Sequence, residues 1–329
     1  MTTRRSFLAA AATGAGAMAL PGAVRADVPP GGAQGKVPLL RLNNGVPMPA
    51  LGFGTYNIKQ GAAEAVNTAL GAGYRLVDTA AFYGNEEQVG QGIARSGIPR
   101  RELFVTTKLW IADYGYDEAL RAFDVSLGKL GLDTVDLYLL HYPTPSNFEG
   151  TLAAYRAMER LLAEGRVKAI GVSNFQPDHL QRLIERSKVV PAVNQVELHP
   201  YMSQRAVREA NARHGVLTEA WSPLGGIFAN HPKDPKAVVR VLDDPRIGEV
   251  ARRVGKSPAQ VVLRWHLQSG VAAVVKSVHP ERIAENIDVF RFELSREDMA
   301  ALDAFDAGLR GGGDPETFDM NLIRARARK

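Results

Sequence analysis

Short apolar runs alternate with amphipathic segments eight times along this chain, and this alternation limits the folds open to it. The apolar runs predict β-strands at residues 50–54, 75–78, 104–108, 135–141, 169–173, 193–197, 217–221 and 273–276. The intervening segments have the 3.6-residue period of helices. Eight βα units with short connections predict a closed (β/α)8 barrel, the TIM-barrel fold.

A doubly wound parallel sheet is the main alternative to the barrel. Such a sheet usually carries G-x-G-x-x-G after its first strand. The first predicted strand continues as Gly52-Phe53-Gly54-Thr55-Tyr56, which lacks the third glycine and has no helix directly after it. The barrel is therefore the preferred prediction. Ahead of it, Asn43-Asn44-Gly45 separates two short apolar runs and predicts an N-terminal β-hairpin that closes the bottom of the barrel.

The predicted helices have clear boundaries. They cover residues 62–72, 86–96, 117–130, 151–164, 177–186, 204–214, 247–254, 258–268 and 280–289. A capping box, a serine with an acid three residues on, starts one more helix at Ser295. Residues 225–245 contain prolines and little periodicity, which predicts a long loop at the mouth of the barrel. Loops of this kind often act as lids.

The first residues predict an export signal. Thr3-Arg4-Arg5-Ser6-Phe7-Leu8 is a basic start with paired arginines, an Ala- and Gly-rich apolar stretch follows, and Val24-Arg25-Ala26 resembles a cleavage site. We interpret residues 1–26 as a twin-arginine (Tat) signal peptide, 27–36 as a linker and 37–329 as the barrel. The Tat export machinery is then an expected partner, and the expected location is periplasmic or secreted.

Composition excludes several classes of function. The sequence has no cysteine, so thiol nucleophiles and cysteine-ligated metal sites are excluded. Arg4, Arg5 and Arg25 supply three of the charges behind a formal net charge of +5, so the basic balance is no argument for nucleic acid. The apolar part of the leader is shorter than the ~20 residues of a membrane-spanning helix. We therefore expect no stable membrane insertion.

Ionisable side chains occur where three consecutive strands are predicted to end. Asp78 ends the second strand, Lys108 the third and His141 the fourth, and Tyr83 lies in the loop after Asp78. Catalytic residues of (β/α)8 barrels sit at these strand ends. We expect an ion pair between Lys108 and Asp78. A nearby ammonium lowers a tyrosine pKa from its usual value near ~10.

This set suits proton donation to a carbonyl oxygen. Tyr83 is a candidate general acid, and His141 is placed to orient the substrate oxygen. The seven histidines include no H-x-H or H-E-x-x-H pair, so no metal site is predicted and a metal-dependent hydrolase is excluded. A proton donor without a nucleophile or a metal favours carbonyl reduction with a hydride from a cofactor.

The stretch Asp78-Thr79-Ala80-Ala81-Phe82-Tyr83-Gly84-Asn85-Glu86 resembles the D-T-A-x-x-Y-x-N-E signature of the aldo-keto reductases. Further matches are Thr107-Lys108-Leu109-Trp110, Asp136-Leu137-Tyr138-Leu139-Leu140-His141, Gly171-Val172-Ser173-Asn174-Phe175, Asn194-Gln195-Val196-Glu197-Leu198-His199-Pro200-Tyr201 and Ala220-Trp221-Ser222-Pro223-Leu224-Gly225. The resemblance covers roughly residues 37–318 and is nearest to the bacterial branch that includes the 2,5-diketo-D-gluconate reductases.

The resemblance implies a catalytic tetrad of Asp78, Tyr83, Lys108 and His141, a substrate pocket walled by Trp110 and His141, a small carbonyl substrate, a monomer and NADPH as cofactor. The residues implied to hold NADPH are Gly54, Thr55, Tyr56, Asp78, Ser173, Asn174, Gln195, Trp221, Ser222, Pro223, Leu224, Gly225, Lys276, Ser277, Val278, Arg282 and Asn286. Cations near a helix start also suit the 2′-phosphate of NADPH on physical grounds.

Two functions follow as expectations. The first is NADPH-dependent reduction of small dicarbonyls or keto-sugars, and the second is an exported nicotinamide-binding sensor with little turnover. The complete tetrad favours the enzyme, whereas export to a compartment poor in NADPH favours the sensor. Tyr142-Pro143 stands where the branch commonly has Trp-Pro, so the packing of the substrate loop is expected to differ. Substrate choice is the least defined property, because residues 225–245 and the C-terminal tail usually shape it and match the family least. Phe318 and Met320 in the C-terminal tail are expected to reach the pocket.

Overall fold

The computed structural model describes residues 37–225 and 240–320, and within them eight parallel strands close into the predicted barrel. The barrel strands are β3 (Leu51–Gly54), β4 (Leu76–Asp78), β5 (Phe104–Leu109), β6 (Val135–Leu140), β7 (Val167–Ser173), β8 (Val193–Glu197), β9 (Leu217–Trp221) and β10 (Ala272–Val275). Each strand pairs with the next, and β10 pairs with β3 to close the ring. The predicted leader, the linker and most of the predicted lid loop lie outside the described residues.

The helices surround the barrel where the sequence periodicity predicts them. They are α1 (Ala62–Gly71), α2 (Glu86–Arg95), α3 (Tyr116–Leu130), α4 (Phe148–Ala163), α5 (Pro177–Ile184), α6 (Arg205–Arg213), α7 (Pro245–Val254), α8 (Pro258–Gln268), α9 (Pro280–Ile287) and α10 (Arg296–Asp303). Helix α4 begins three residues before its predicted start because the Asn147 side chain accepts a hydrogen bond from the Gly150 amide and caps it. No helix in the part of the chain described here is long and apolar enough to cross a membrane.

The predicted N-terminal hairpin is present and lies at the bottom of the barrel. It consists of β1 (Leu39–Arg41) and β2 (Pro47–Pro49), which pair antiparallel. In the turn between them, the side-chain amide of Asn43 donates to the backbone carbonyl of Pro191 over 2.9 Å. The side-chain amide of Asn44 donates to the backbone carbonyl of Lys168 over the same distance. Both carbonyls lie toward the amino ends of barrel strands, so the turn is fastened across the end opposite the strand carboxyl ends.

The barrel interior becomes polar toward the carboxyl ends of the strands. Strands β5 and β6 are buried along their whole length, as expected of parallel strands covered by helices. Buried polar and charged side chains nevertheless occur in these strands, among them Asp78, Lys108, Gln195 and Glu219. Buried groups of this kind are costly unless they are paired. Their arrangement therefore needs an explanation beyond packing.

Close helix packing gives a test of the fold. A Cβ atom added at Gly90 of α2 would lie 2.6 Å from the carbonyl carbon of Leu130 at the end of α3. Backbone cannot yield cheaply, so Gly90→Ala is expected to lower the free energy of unfolding by about 1–3 kcal/mol in urea denaturation. Gly128→Ala is the matched control, because a Cβ there meets nothing within 4 Å. That exposed helical site should gain up to about 1 kcal/mol, and equal effects at the two positions would contradict the packing.

Candidate active site

A buried ion pair lies at the centre of the site. The Lys108 Nζ of β5 is 2.6 Å from the Asp78 Oδ1 at the end of β4, and the two side chains are only 1% and 3% exposed. The same ammonium donates to the Thr79 carbonyl over 3.0 Å. The pair predicted from adjacent strand ends is therefore present, and the second hydrogen bond further compensates the buried ammonium.

Tyr83 lies against this pair. It ends a short 3₁₀ turn, Ala81–Tyr83, that follows β4. The Lys108 ammonium donates to the phenol oxygen over 3.2 Å. Because the oxygen is already an acceptor in this contact, its own hydrogen is free to be donated into the adjacent cavity.

The protonation of Tyr83 differs from the sequence-based expectation. Burial of its hydroxyl, and then the negative charge of Asp78, raise the pKa of Tyr83 well above its usual value. The expectation that Lys108 lowers this pKa is wrong, because it considered the ammonium without the desolvation and the carboxylate. Tyr83 is thus a protonated phenol at neutral pH, which is the form that a proton donor needs.

His141 is held as a neutral imidazole beside Tyr83. It directly follows β6, and its ring lies edge-on to the Tyr83 ring with centroids 5.7 Å apart. Burial, and then the charge of Lys108, lower the pKa of His141 well below its usual value. Its carbonyl accepts from the Asn174 side chain over 2.9 Å. A neutral imidazole can donate one hydrogen bond to a substrate oxygen.

A second carboxyl, which was not predicted from the sequence, lies behind the tetrad. The Gln195 Nε2 of β8 donates to Asp78 Oδ2 over 2.9 Å and to Glu219 Oε2 of β9 over 2.8 Å. Burial, and then the charge of Asp78, raise the pKa of Glu219 to about 8. The available signal was an acid in the middle of a short, otherwise buried strand, since such a residue is rarely buried without a partner.

The ends of β7, β8 and β9 form a polar cluster near the tetrad. The Ser173 hydroxyl donates to the Gln195 carbonyl over 2.8 Å, and the Trp221 indole N–H donates to Asn174 Oδ1 over 2.9 Å. Asn174 and Ser222 have φ of +66° and +50°, in the left-handed region that side chains other than glycine seldom adopt. Such backbone strain clusters at functional sites.

These residues surround a cavity of about 570 Å³ at the carboxyl end of the barrel. The predicted site residues that line it are Gly54, Tyr56, Asp78, Tyr83, Trp110, His141, Ser173, Asn174, Gln195, Trp221, Ser222, Pro223, Leu224, Gly225 and Lys276. Phe318 also lines it, as expected for the C-terminal tail. Lys108 lies directly beneath, buried in the wall of the barrel.

Several predicted residues lie outside the cavity wall. These are Thr55, Ser277, Val278, Arg282, Asn286 and the tail residue Met320. Thr55 is buried, and its hydroxyl donates to the Asp78 carbonyl over 3.1 Å. Arg282 is exposed and makes no ion pair within residues 37–225 and 240–320. The assignment of Ser277, Val278, Arg282 and Asn286 to NADPH binding stays a prediction.

Aromatic rings form the outer wall of the cavity. Phe82 stacks on Trp110 with centroids 3.9 Å apart, and Tyr142 stacks on Phe318 at 4.1 Å. Neither Phe82 nor Tyr142 is predicted from the sequence to form the pocket wall, although each is adjacent in sequence to a tetrad residue. The other lining residues that were not predicted are Asn57, Val274, Val275, Gly312 and Gly313.

The C-terminal tail is fastened over the cavity by Glu197, the last residue of β8. Its two carboxylate oxygens accept from the amides of Gly311 and Gly312 over 2.7 and 2.9 Å. A Cβ at Gly312 would lie 3.2 Å from Cζ2 of the Trp221 ring and closer still to Cη2. The tail thus passes close to the indole, and only glycine fits there.

The donor set fits a nicotinamide dinucleotide. Side-chain amides of Asn174 and Gln195 can bind a carboxamide, the Trp221 indole is a flat apolar surface, and the exposed Lys276 suits a phosphate. A metal does not fit as well, since the described residues contain no cluster of three or more His, Asp or Glu side chains placed to hold one.

Comparison with known proteins agrees with this geometry. The model of the aldo/keto reductase family matches residues 50–307. Morphine 6-dehydrogenase of Pseudomonas putida is 54% identical over 289 residues, which cover 87% of this chain and 97% of that protein. Glyoxal reductase of Bacillus subtilis is 44% identical over 279 residues, which cover 84% of this chain and 96% of the relative.

A solved structure shares the fold as well. The aldo-keto reductase of Bombyx mori, in complex with NADP, superposes with a TM-score of 0.79 at 35% sequence identity, covering 86% of this chain and 98% of that one. The family match spans most of the sequence, and the relatives match over nearly their full length. The chain belongs to the aldo/keto reductase family.

Proposed function

We propose that this oxidoreductase reduces small carbonyl compounds with NADPH. The observation that carries the proposal is a protonated Tyr83 phenol, held by the Lys108–Asp78 pair, at a cavity whose floor bears the amides of Asn174 and Gln195. The Bombyx mori relative binds NADP, which supports the choice of cofactor.

The tetrad supplies the proton chemistry of the reduction. Bound NADPH supplies the hydride, from the pro-R position of nicotinamide C4, to the carbonyl carbon. Tyr83 donates its proton to the carbonyl oxygen, and the Lys108 ammonium at 3.2 Å stabilises the phenolate that remains. His141, neutral because of its burial, donates a hydrogen bond that orients the same oxygen.

The cofactor would be held by groups at four strand ends and in α9. Ser173, Asn174 and Gln195 would bind the carboxamide, and the Trp221 ring would stack on the nicotinamide. The segment from Ser222 to Gly225 would hold the pyrophosphate. Lys276 and Arg282 bind the 2′-phosphate, since both cations are exposed beside the start of α9.

The walls of the cavity favour small dicarbonyls over keto-sugars. The stacked pairs of Phe82 with Trp110 and of Tyr142 with Phe318 are flat and largely apolar. A planar dicarbonyl has few hydrogen-bond donors to satisfy, whereas sugar hydroxyls buried against these rings would lose their water partners. The naming of the Bacillus subtilis relative as a glyoxal reductase supports this choice.

We also propose that residues 1–26 direct export by the twin-arginine pathway. The paired Arg4 and Arg5 ahead of the apolar stretch support it. Replacing both arginines with lysine should move the protein from the periplasmic to the cytoplasmic fraction, measured by immunoblot of fractionated cells. Equal periplasmic amounts of the two forms would contradict the proposal.

Substitution of the general acid tests the reductase directly. Tyr83→Phe removes only the hydroxyl, so NADPH consumption with methylglyoxal should fall by about 10²–10⁴-fold. NADPH binding, measured by fluorescence titration, should change little. If the wild type binds NADPH tightly but consumes none with a panel of aldehydes and dicarbonyls, the sensor function replaces the reductase.

Gly312, the glycine of the C-terminal tail that lies against the Trp221 ring, tests the pocket geometry. Gly312→Ala should push the Trp221 ring from its position and lower kcat/KM by roughly 10–100-fold, because a displacement of about 1 Å has effects of this size. Gly128→Ala on the exposed face of α3 is the matched control and should leave kcat/KM unchanged. Unaltered kinetics in Gly312→Ala would show that the tail is not fastened as described.

A further inference from the structure

Glu219 is connected to the tetrad through one side chain. Gln195 Nε2 lies between Glu219 Oε2 and Asp78 Oδ2, donating to both, and Asp78 Oδ1 receives the Lys108 ammonium. Glu219 is completely buried, and its second oxygen, Oε1, has no hydrogen-bond partner among the described residues. A buried carboxyl linked in this way to a catalytic ion pair affects the charge balance of the site.

The charges around Glu219 can be accounted for element by element. Asp78 on β4 is negative, Lys108 on β5 is positive, and the Tyr83 phenol lies beyond them. On the neighbouring strands, the register partners are the neutral Gln195 and the apolar Ala272. One ammonium therefore faces two buried carboxyls. Since Lys108 binds Asp78 at 2.6 Å, Glu219 is the carboxyl left without a counterion.

We propose that Glu219 is a positioning residue for the reduction: through Gln195 it holds Asp78, and with it Lys108 and Tyr83, in the arrangement that proton donation requires. The Glu219 carboxyl is neutral in this arrangement, and its ionisation in alkaline solution weakens Tyr83 as an acid. The kinetic part of this inference rests on the proposed reductase function. Glu219 does not line the cavity, so it acts through Gln195 and through its charge rather than by touching the substrate.

The effect of ionisation has a definite direction. A charged Glu219 adds a negative charge that has no counterion near the tetrad, and this charge raises the pKa of Tyr83 further. The phenol then gives up its proton less readily, so reduction slows. A charged Glu219 also accepts more strongly from Gln195 Nε2 and draws this side-chain amide away from Asp78. The cofactor carboxamide is proposed to contact the same side chain.

Glu219→Gln is the informative variant, because an amide imitates the neutral carboxyl in shape but does not titrate. Glu86→Gln is the matched control: Glu86 is also buried, but it accepts hydrogen bonds from Thr107 and Ser126, away from Gln195. Infrared difference spectroscopy of wild type against each variant reports a neutral carboxyl directly, with no turnover needed. We expect a carbonyl-stretch band of a protonated carboxyl at neutral pH that is lost at about pH 8 and is absent from Glu219→Gln.

The pH profile of kcat/KM tests the positioning role. Wild type and Glu86→Gln should lose activity above about pH 8. At about 1.5 pH units above that value, Glu219→Gln should retain a fraction of its neutral-pH kcat/KM about tenfold larger than the fraction that wild type retains. If Glu219 only filled the core, its substitution would alter the free energy of unfolding but not the pH above which kcat/KM falls, the alkaline limb of the profile. If no form of the protein turns over, NADPH affinity replaces kcat/KM as the readout, with the same ordering expected.

Two results would overturn the proposal. One is an ionised Glu219 at neutral pH, seen as no protonated-carboxyl band that Glu219→Gln removes. The other is an alkaline limb, in activity or in NADPH affinity, that is identical in wild type and Glu219→Gln. Failure of the reductase function itself is a separate outcome, recognised by the absence of NADPH consumption while the infrared band is present.

Discussion

The ion pair between Lys108 and Asp78 governs the organisation of the active site. Two charges removed from water cost several kcal/mol each, and this cost is offset only when the pair is close and its remaining donors are bonded. Here the contact is 2.6 Å, the ammonium reaches Thr79 and Tyr83, and the carboxylate reaches Gln195. Removal of either partner would leave an uncompensated charge, at a cost of about 3–5 kcal/mol. The requirement for stability and the requirement for catalysis therefore coincide.

The barrel makes this arrangement possible. Parallel strands place the ends of β4, β5 and β6 side by side, so residues far apart in sequence meet without long loops. The apolar part of the core supports a polar interior above it that contains two carboxyls, one ammonium and one amide. Only one of those carboxyls has a cation, and burial raises the pKa of the other, Glu219, to about 8. The site thus combines a charged half with a neutral half, joined by Gln195.

Much of the fold was predictable from sequence, and the limits of the prediction have physical causes. Strand and helix positions follow from periodicity. Helix α4 begins three residues before its predicted start because the Asn147 side chain caps it. The ion pair followed from neighbouring strand ends. The pKa direction of Tyr83 did not, because desolvation depends on side chains from several strands that no local pattern reveals. The contact of Gly312 with the Trp221 ring was equally hidden, since it joins the tail to the end of β9.

The central claim is that the cavity above the tetrad transfers a hydride from NADPH to a carbonyl while Tyr83 supplies the proton. The most direct test is a reduction of methylglyoxal by the purified protein with NADPH that carries deuterium at the pro-R position of C4, followed by mass spectrometry of the alcohol. The account predicts one deuterium on the carbon that was the carbonyl carbon. Deuterium that stays on the oxidised cofactor, or the absence of any alcohol product, would contradict it.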